Sequence, residues 1–195
     1  MENKFYCICL MLYILGGLPN VFSQVIFEDD FEDGEFKDEW VATPASDYGV
    51  VEVANTIGAR KIFNKGTYGV AIGKNSSSGG LLTNMLELKL DLSGHDDLEL
   101  SFYLLNNNDV TNPEDGLYFS DDGGANYKKV MDFDLSNWAS SIYSKLPPID
   151  IDRLAKLYGL SLSENFVIKF QQQGSGLINS NNANWRDGFF IDDII

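Results

Sequence analysis

Between Met85 and Leu92 the chain alternates without a slip: Leu86, Leu88, Leu90 and Leu92 fall on one face, Glu87, Lys89 and Asp91 on the other. Only an extended strand puts every second side chain on the same side. The segment is therefore a half-buried strand whose leucines need a second layer to cover them. Leu98, Leu100 and Phe102 begin a second such run, Leu98 to Leu105, and Ser93-Gly94-His95-Asp96-Asp97 between the two runs reads as a turn.

Further short apolar runs follow the same rule. Val25 to Glu28, Tyr68 to Gly73, Leu117 to Ser120, Tyr127 to Val130, Phe166 to Gln173 and Phe189 to Ile194 are all expected as strands. Asp121-Asp122-Gly123-Gly124 joins two of them as a hairpin, because glycine accepts the positive φ that a tight turn demands. Many short strands separated by turn clusters imply an all-β fold, two antiparallel sheets packed as a sandwich. The expected core takes Leu86, Leu88, Leu90, Leu100, Phe102, Tyr118, Val167, Phe170 and Ile191. One short helix is expected: Asp150 is placed to cap it, Ile151, Leu154, Leu157 and Tyr158 follow at helical spacing, and Gly159 ends it. Asn106-Asn107-Asn108 and the Asn-, Ser- and Gly-rich stretch from Gly174 to Asn184 read as polar, flexible loops, places where a binding surface can be presented.

The first 23 residues have the pattern of a secretory signal peptide. Lys4 precedes an apolar and glycine run from Phe5 to Leu18, Pro19 and Asn20 break it, and Val21 and Ser23 stand where cleavage after Ser23 requires them. The run is shorter than the ~20 residues of an ordinary membrane span, and no second long apolar run follows it. Both cysteines, Cys7 and Cys9, lie in this segment, so the expected mature chain, 24–195, has no thiol for a disulfide, a nucleophile or a metal. A net charge of −15 makes nucleic acid an unsuitable partner, since phosphate binding needs Lys and Arg, and leaves calcium as a fitting one. The chain stops at Ile195 inside an apolar run, which reads as a truncated domain.

Ser120-Asp121-Asp122-Gly123-Gly124-Ala125-Asn126-Tyr127 resembles an Asp-box, with Asn126 and Tyr127 where that pattern has Thr and Trp. A wider resemblance rests on five strings in order. They are Phe27-Glu28-Asp29-Asp30-Phe31-Glu32-Asp33-Gly34 with Trp40; Leu90-Asp91-Leu92-Ser93-Gly94 leading into Leu100-Ser101-Phe102; Asp115 to Ser120 with the box; Asn165 to Gln171; and Asp187 to Ile194. Together they are similar to MAM-like jelly-roll modules of bacterial secreted and surface proteins, and reelin-type repeats share the box and the sandwich. The cysteines of animal MAM domains are absent. The resemblance implies a jelly-roll β-sandwich with a central hairpin from the second string. It also implies first and last strands side by side, with a structural calcium held among Asp30, Glu32, Asp192 and Asp193.

Enzyme motifs are lacking. The single histidine, His95, sits in a turn signal, and neither a nucleophile elbow nor a His-Glu-x-x-His motif occurs. Asp132-x-Asp134-x-Ser136 starts like an EF-hand loop but has Asn137 at its sixth position and Tyr143 at its twelfth. The expected role is a non-catalytic extracellular adhesion or scaffolding module of a larger secreted or surface protein, its partner an extracellular protein or glycan. The alternative is a carbohydrate-binding module beside a hydrolase domain, with Trp138, Trp185, Tyr143 and Tyr48 as candidate sugar platforms.

Overall fold

A computed structural model describes residues 24–195 apart from 136, 137 and 141; the expected signal peptide lies outside the described residues. In chain order the strands are β1 Trp40–Thr43, β2 Gly49–Ala54, β3 Thr56–Ile57, β4 Arg60–Lys61, β5 Gly69–Lys74, β6 Leu82–Leu90, β7 Glu99–Leu100, β8 Tyr103–Asn106, β9 Gly116–Ser120, β10 Lys128–Asp132, β11 Ser144–Lys145, β12 Ile149–Asp150, β13 Phe166–Gly174 and β14 Phe189–Asp192. They form two antiparallel five-stranded sheets, in the orders β1-β6-β13-β9-β10 and β11-β8-β14-β5-β2, with two small two-stranded ribbons, β12-β7 and β3-β4. The fold is a jelly-roll β-sandwich: the alternation implies the two-layer sandwich, and the resemblance implies the jelly roll.

The core is the meeting of two inward faces. Leu86 and Leu88 of β6, Leu117 and Phe119 of β9, and Phe166, Ile168 and Phe170 of β13 come from the first sheet; Val70 and Ile72 of β5, Leu104 of β8, and Phe189 and Ile191 of β14 come from the second. Each set keeps the period of two that a pleated strand imposes. A smaller apolar cluster covers the outer face of the second sheet, where Ile57, Ile62 and Ile178 pack on Val50, Ala71, Leu105 and Phe190.

Several expectations are corrected. Tyr118 and Val167 are buried but stand outside both apolar clusters, because β9 and β13 turn their neighbours Leu117, Phe119, Phe166 and Ile168 inward. Leu90, at the end of β6, packs against the core as expected but is only half-buried. No strand forms over Val25 to Glu28: Val25 is 52% exposed, and only Asp29 pairs, with Ile194. The runs on either side of the 93–97 turn do not pair as a hairpin. β6 pairs with β1 and β13, whereas the following segment splits into β7, which joins β12, and β8, which enters the other sheet between β11 and β14. Alternation fixes which face is buried and not which strand lies beside it: Leu100, Phe102 and Leu104 reach the same core from the opposite layer.

The helix α1, Ile151–Leu157, forms where expected. Asp150 accepts from Arg153 N at 2.8 Å, and Gly159 takes φ +72° just past the end. Its apolar stripe is narrower than its spacing implies: Ile151, Leu154 and Ala155 are buried, while Leu157 is 67% exposed. The first and last segments lie side by side, with Asp29 and Ile194 exchanging two backbone hydrogen bonds of 2.9 Å.

Candidate binding surface

At one end of the sandwich the chain leaving β8 meets the loop between β13 and β14. Both expose much of their length but are anchored by buried polar residues. Asn106 and Asn107 are buried, and the Asn107 side chain donates to Ile178 O at 2.9 Å. Asp187 ties this end together. Its Oδ2 accepts from Ser175 N at 2.8 Å and Gly176 N at 2.9 Å; its Oδ1 accepts from Gly188 N at 3.1 Å, Val110 N at 3.2 Å and Gln172 Nε2 at 3.5 Å. Asp109 Oδ1 takes Gly188 N at 2.8 Å and Gln172 Nε2 at 3.1 Å, and Asp115 takes Gln173 N at 2.5 Å and Asn112 N at 2.6 Å. The approach is close enough to need glycine. A Cβ on Gly176 would stand 2.7 Å from Asp187 Cβ, and Gly188 holds φ +106°.

Three buried carboxyl groups so close together cannot all be charged. Burial pushes Asp109 up to about 9, helped by a hydrogen bond with Asp187 and the charges of Asp115 and Asp187. Burial also raises Asp115 to about 6, against the pull of the Gln173 and Asn112 amides. The proton belongs on Asp109. Its Oδ2 is buried without a donor, whereas Asp187 is surrounded by five N–H groups. A protonated Asp109 Oδ2 then donates to a neighbouring carboxylate. Such a pair has the chemistry of a general acid, but Asp109, Asp115 and Asp187 are 7%, 1% and 2% exposed, so no substrate reaches them. Their work is to fix the loops.

The exposed groups stand on that fixed frame. Trp185 lies in a 3₁₀ turn, Ala183–Trp185, capped by Asn182, and is 65% exposed. Of the other expected sugar platforms, Tyr48 is 41% exposed, Trp138 packs on the main core, and Tyr143 packs on the second cluster while its hydroxyl donates to Ile62 O at 2.5 Å. On the outer face of the first sheet two rings are already covered. Lys169 Nζ stands 4.4 Å from the Tyr118 ring centre and 3.9 Å from that of Tyr127, so one cation covers both rings a sugar would need.

Three of the four expected calcium residues bond to the segment 64–68. Glu32 Oε1 accepts from Thr67 N at 2.8 Å and Tyr68 N at 3.0 Å. Asp192 Oδ2 accepts from Asn64 N at 2.7 Å, and Asp193 Oδ2 from Asn64 Nδ2 at 2.9 Å. Asp30 is exposed and caps only its own turn, taking Glu32 N at 3.2 Å. Burial raises Asp192 to about 6, with the Asp193 charge adding to it and the Asn64 amide opposing. Among the described residues no three His, Cys, Asp or Glu side chains are grouped to hold a metal ion. A cavity of about 320 Å³, lined by Leu88, Leu100, Ile168 and Ile194 but also by Asp97, Glu99 and Lys145, lies where the first and last segments meet.

No family model matches the chain. No curated protein matches it either. Solved structures do. The K2 cleaved adhesin domain of Lys-gingipain superposes with a TM-score of 0.53 at 17% identity, over 86% of this chain and 96% of that one. The CBM22-2 xylan-binding domain from Paenibacillus barcinonensis Xyn10C gives a TM-score of 0.44 at 14% identity, over 88% of this chain and 98% of that one. The first likeness shows the sandwich fold. Among the described residues no helix is long and apolar enough to cross a membrane.

Sequence reasoning missed Asp109, Asp115 and Asp187 as a unit. The available signal was local: Asp109 closes a run of three asparagines, and Asp187-Gly188 directly precedes the apolar strand β14.

Proposed function

We propose that the chain is a non-catalytic, exported module that attaches a larger extracellular protein to its surroundings through the loop end around Trp185. The observation that carries this reading is a tryptophan left 65% exposed on a loop whose backbone is otherwise tied down by buried carboxylates. A large apolar ring on a preorganised loop suits binding, because little order remains to be imposed when the ligand arrives. A glycan suits the chemistry better than an apolar protein surface. The ring offers a stacking face, and Asn108, Asn182 and Asn184 nearby offer amide donors and acceptors. The calcium expectation belongs to the same reading. Glu32 and Asp192 bond the two ends of one segment, and Asp192 is buried with no salt-bridge partner among the described residues; a hard cation bound by either would draw most of its shell from carbonyls and water.

The test is binding of the secreted chain to an array of glycans and matrix proteins, followed by tryptophan emission. A ligand at the loop end shifts the emission of Trp185, and Trp185→Ala removes binding while leaving the melting temperature unchanged. Full binding by Trp185→Ala would place the contact surface elsewhere.

A further inference from the structure

We propose that the ligand of this loop end is an acidic glycan, with Arg60 and Arg186 as paired anion contacts beside the ring of Trp185; the inference rests on the module reading above. The chain holds only three arginines against a net charge of −15. Arg153 pairs with Asp150 at 3.7 Å. The other two make no salt bridge among the described residues, although the chain has 29 acidic residues to offer. Arg60 Nη2 donates to Ser140 O at 2.8 Å, and Arg186 Nε donates to Ser180 O at 2.8 Å.

The fold brings them together. Ile57, opposite Arg60 in the β3-β4 ribbon, shares the second apolar cluster with Ile178, and Gly58 of the same ribbon abuts Asn179. Arg186 hooks onto Ser180, the residue after Asn179. Burial and the Arg186 charge both lower Arg60, and no carboxylate offsets them. The nearest acid in sequence, Asp187, has turned inward onto backbone amides. Two guanidinium groups are thus held near one another by carbonyls, each half-buried and without a counterion among the described residues. An arriving anion relieves that repulsion.

The shape of the group narrows the anion. A guanidinium presents a planar fork that matches carboxylate or sulfate with two parallel hydrogen bonds. The overall negative charge repels densely charged polymers, nucleic acid included, so spaced acidic groups on a sugar chain fit better. Trp185 belongs to the residue next to Arg186 and supplies the stacking surface.

The experiment compares affinities of the chain for a uronic-acid oligosaccharide, a sulfated oligosaccharide and neutral xylo- and cello-oligosaccharides of equal length, at low and high ionic strength. The expected result is that an acidic ligand binds about tenfold or more tightly than the neutral ones and weakens with salt. Arg60→Gln and Arg186→Gln each lose about tenfold for the acidic ligand, with Arg60→Lys recovering only part, because the fork is gone. The uronate and sulfate arms show which anion is read. Equal binding of neutral sugars, or Arg variants that bind as the parent does, overturns the inference. Should Trp185→Ala abolish binding of a neutral glycan while both Arg variants keep it, the module reading stands and the anion does not. Absence of any glycan binding, with a protein partner captured instead, also overturns the inference. Thermal melts of each variant separate a lost contact from a lost fold.

Discussion

Two aspartate-built turns stand at opposite ends of β9 and use the same donors to opposite effect. Beyond Ser120, Asp122 Oδ1 accepts from Ser120 Oγ at 2.7 Å and Asn126 N at 2.9 Å, and its Oδ2 from Asn126 Nδ2 at 2.7 Å. It is solvated, and those bonds, the Asn126 side chain first, pull it down to about 2. Before Gly116, Asp115 also accepts two backbone amides, yet burial pushes it up to about 6, and Asp109 higher still. Hydrogen bonds to a carboxylate hold its charge only while water remains to share the work. Once the group is enclosed beside two others, desolvation wins. The exposed turn shapes a hairpin; the buried cluster locks two distant segments together.

Cutting each turn at its aspartate sharpens that contrast most. Asp187→Ala leaves five N–H donors without their acceptor and is expected to cost about 3–5 kcal/mol, a large share of the ~5–15 kcal/mol that holds a domain folded. Asp122→Ala leaves its donors facing water and lowers the urea midpoint far less. Equal midpoint losses would erase the distinction.

The next effect is a pH dependence with a definite sign. The unfolded Asp109 titrates near ~3.9 and the folded one near about 9, so between those values the folded state binds the extra proton and stability falls as pH rises. Asp109→Asn keeps a donor at that position and carries no charge. It is expected to gain on the order of a few kcal/mol over the parent at pH 8, with the gap closing towards pH 4. Urea midpoints at three pH values measure it, and a gap that widens on acidification would show that the proton sits elsewhere. The smallest effect concerns the acids around segment 64–68. Calcium at about ten times its Kd is expected to raise stability by ~1.4 kcal/mol over chelator, and Asp192→Asn to remove that gain. A melting temperature indifferent to both calcium and chelator would leave Glu32 and Asp192 as amide caps alone.

The same contrast explains what the sequence made legible. The Asp122 turn is local: its partners lie two and four residues away, so the string Ser120 to Tyr127 carries the whole arrangement. The buried cluster joins Asp109 to Gly188 across 79 residues and Asp115 to Gln173 across 58. No spacing rule links such positions, and runs of Asn and Gly around them read as loop. Strand alternation likewise disclosed the buried face of β6 but not that of β13, where Val167 was expected inward, nor that β8 crosses to the second sheet. Trp185 was among the aromatic candidates, yet its exposure, and the packing of Trp138 and Tyr143 against the apolar clusters, depended on how distant loops stack.

The sheet edges bear on how densely such a module can be crowded. β10 carries a bulge between Lys129 and Met131 and opens with two lysines, β11 is only two residues long with Lys145 as one of them, and β1 has four residues. A neighbouring copy seeking to extend either sheet meets charge, a kink or too short a row of free amides at these three edges. Only β2, with six residues, offers a longer edge, and Glu52 stands on it. Copies packed at high density thus resist joining edge to edge into fibrous aggregates and remain separate particles.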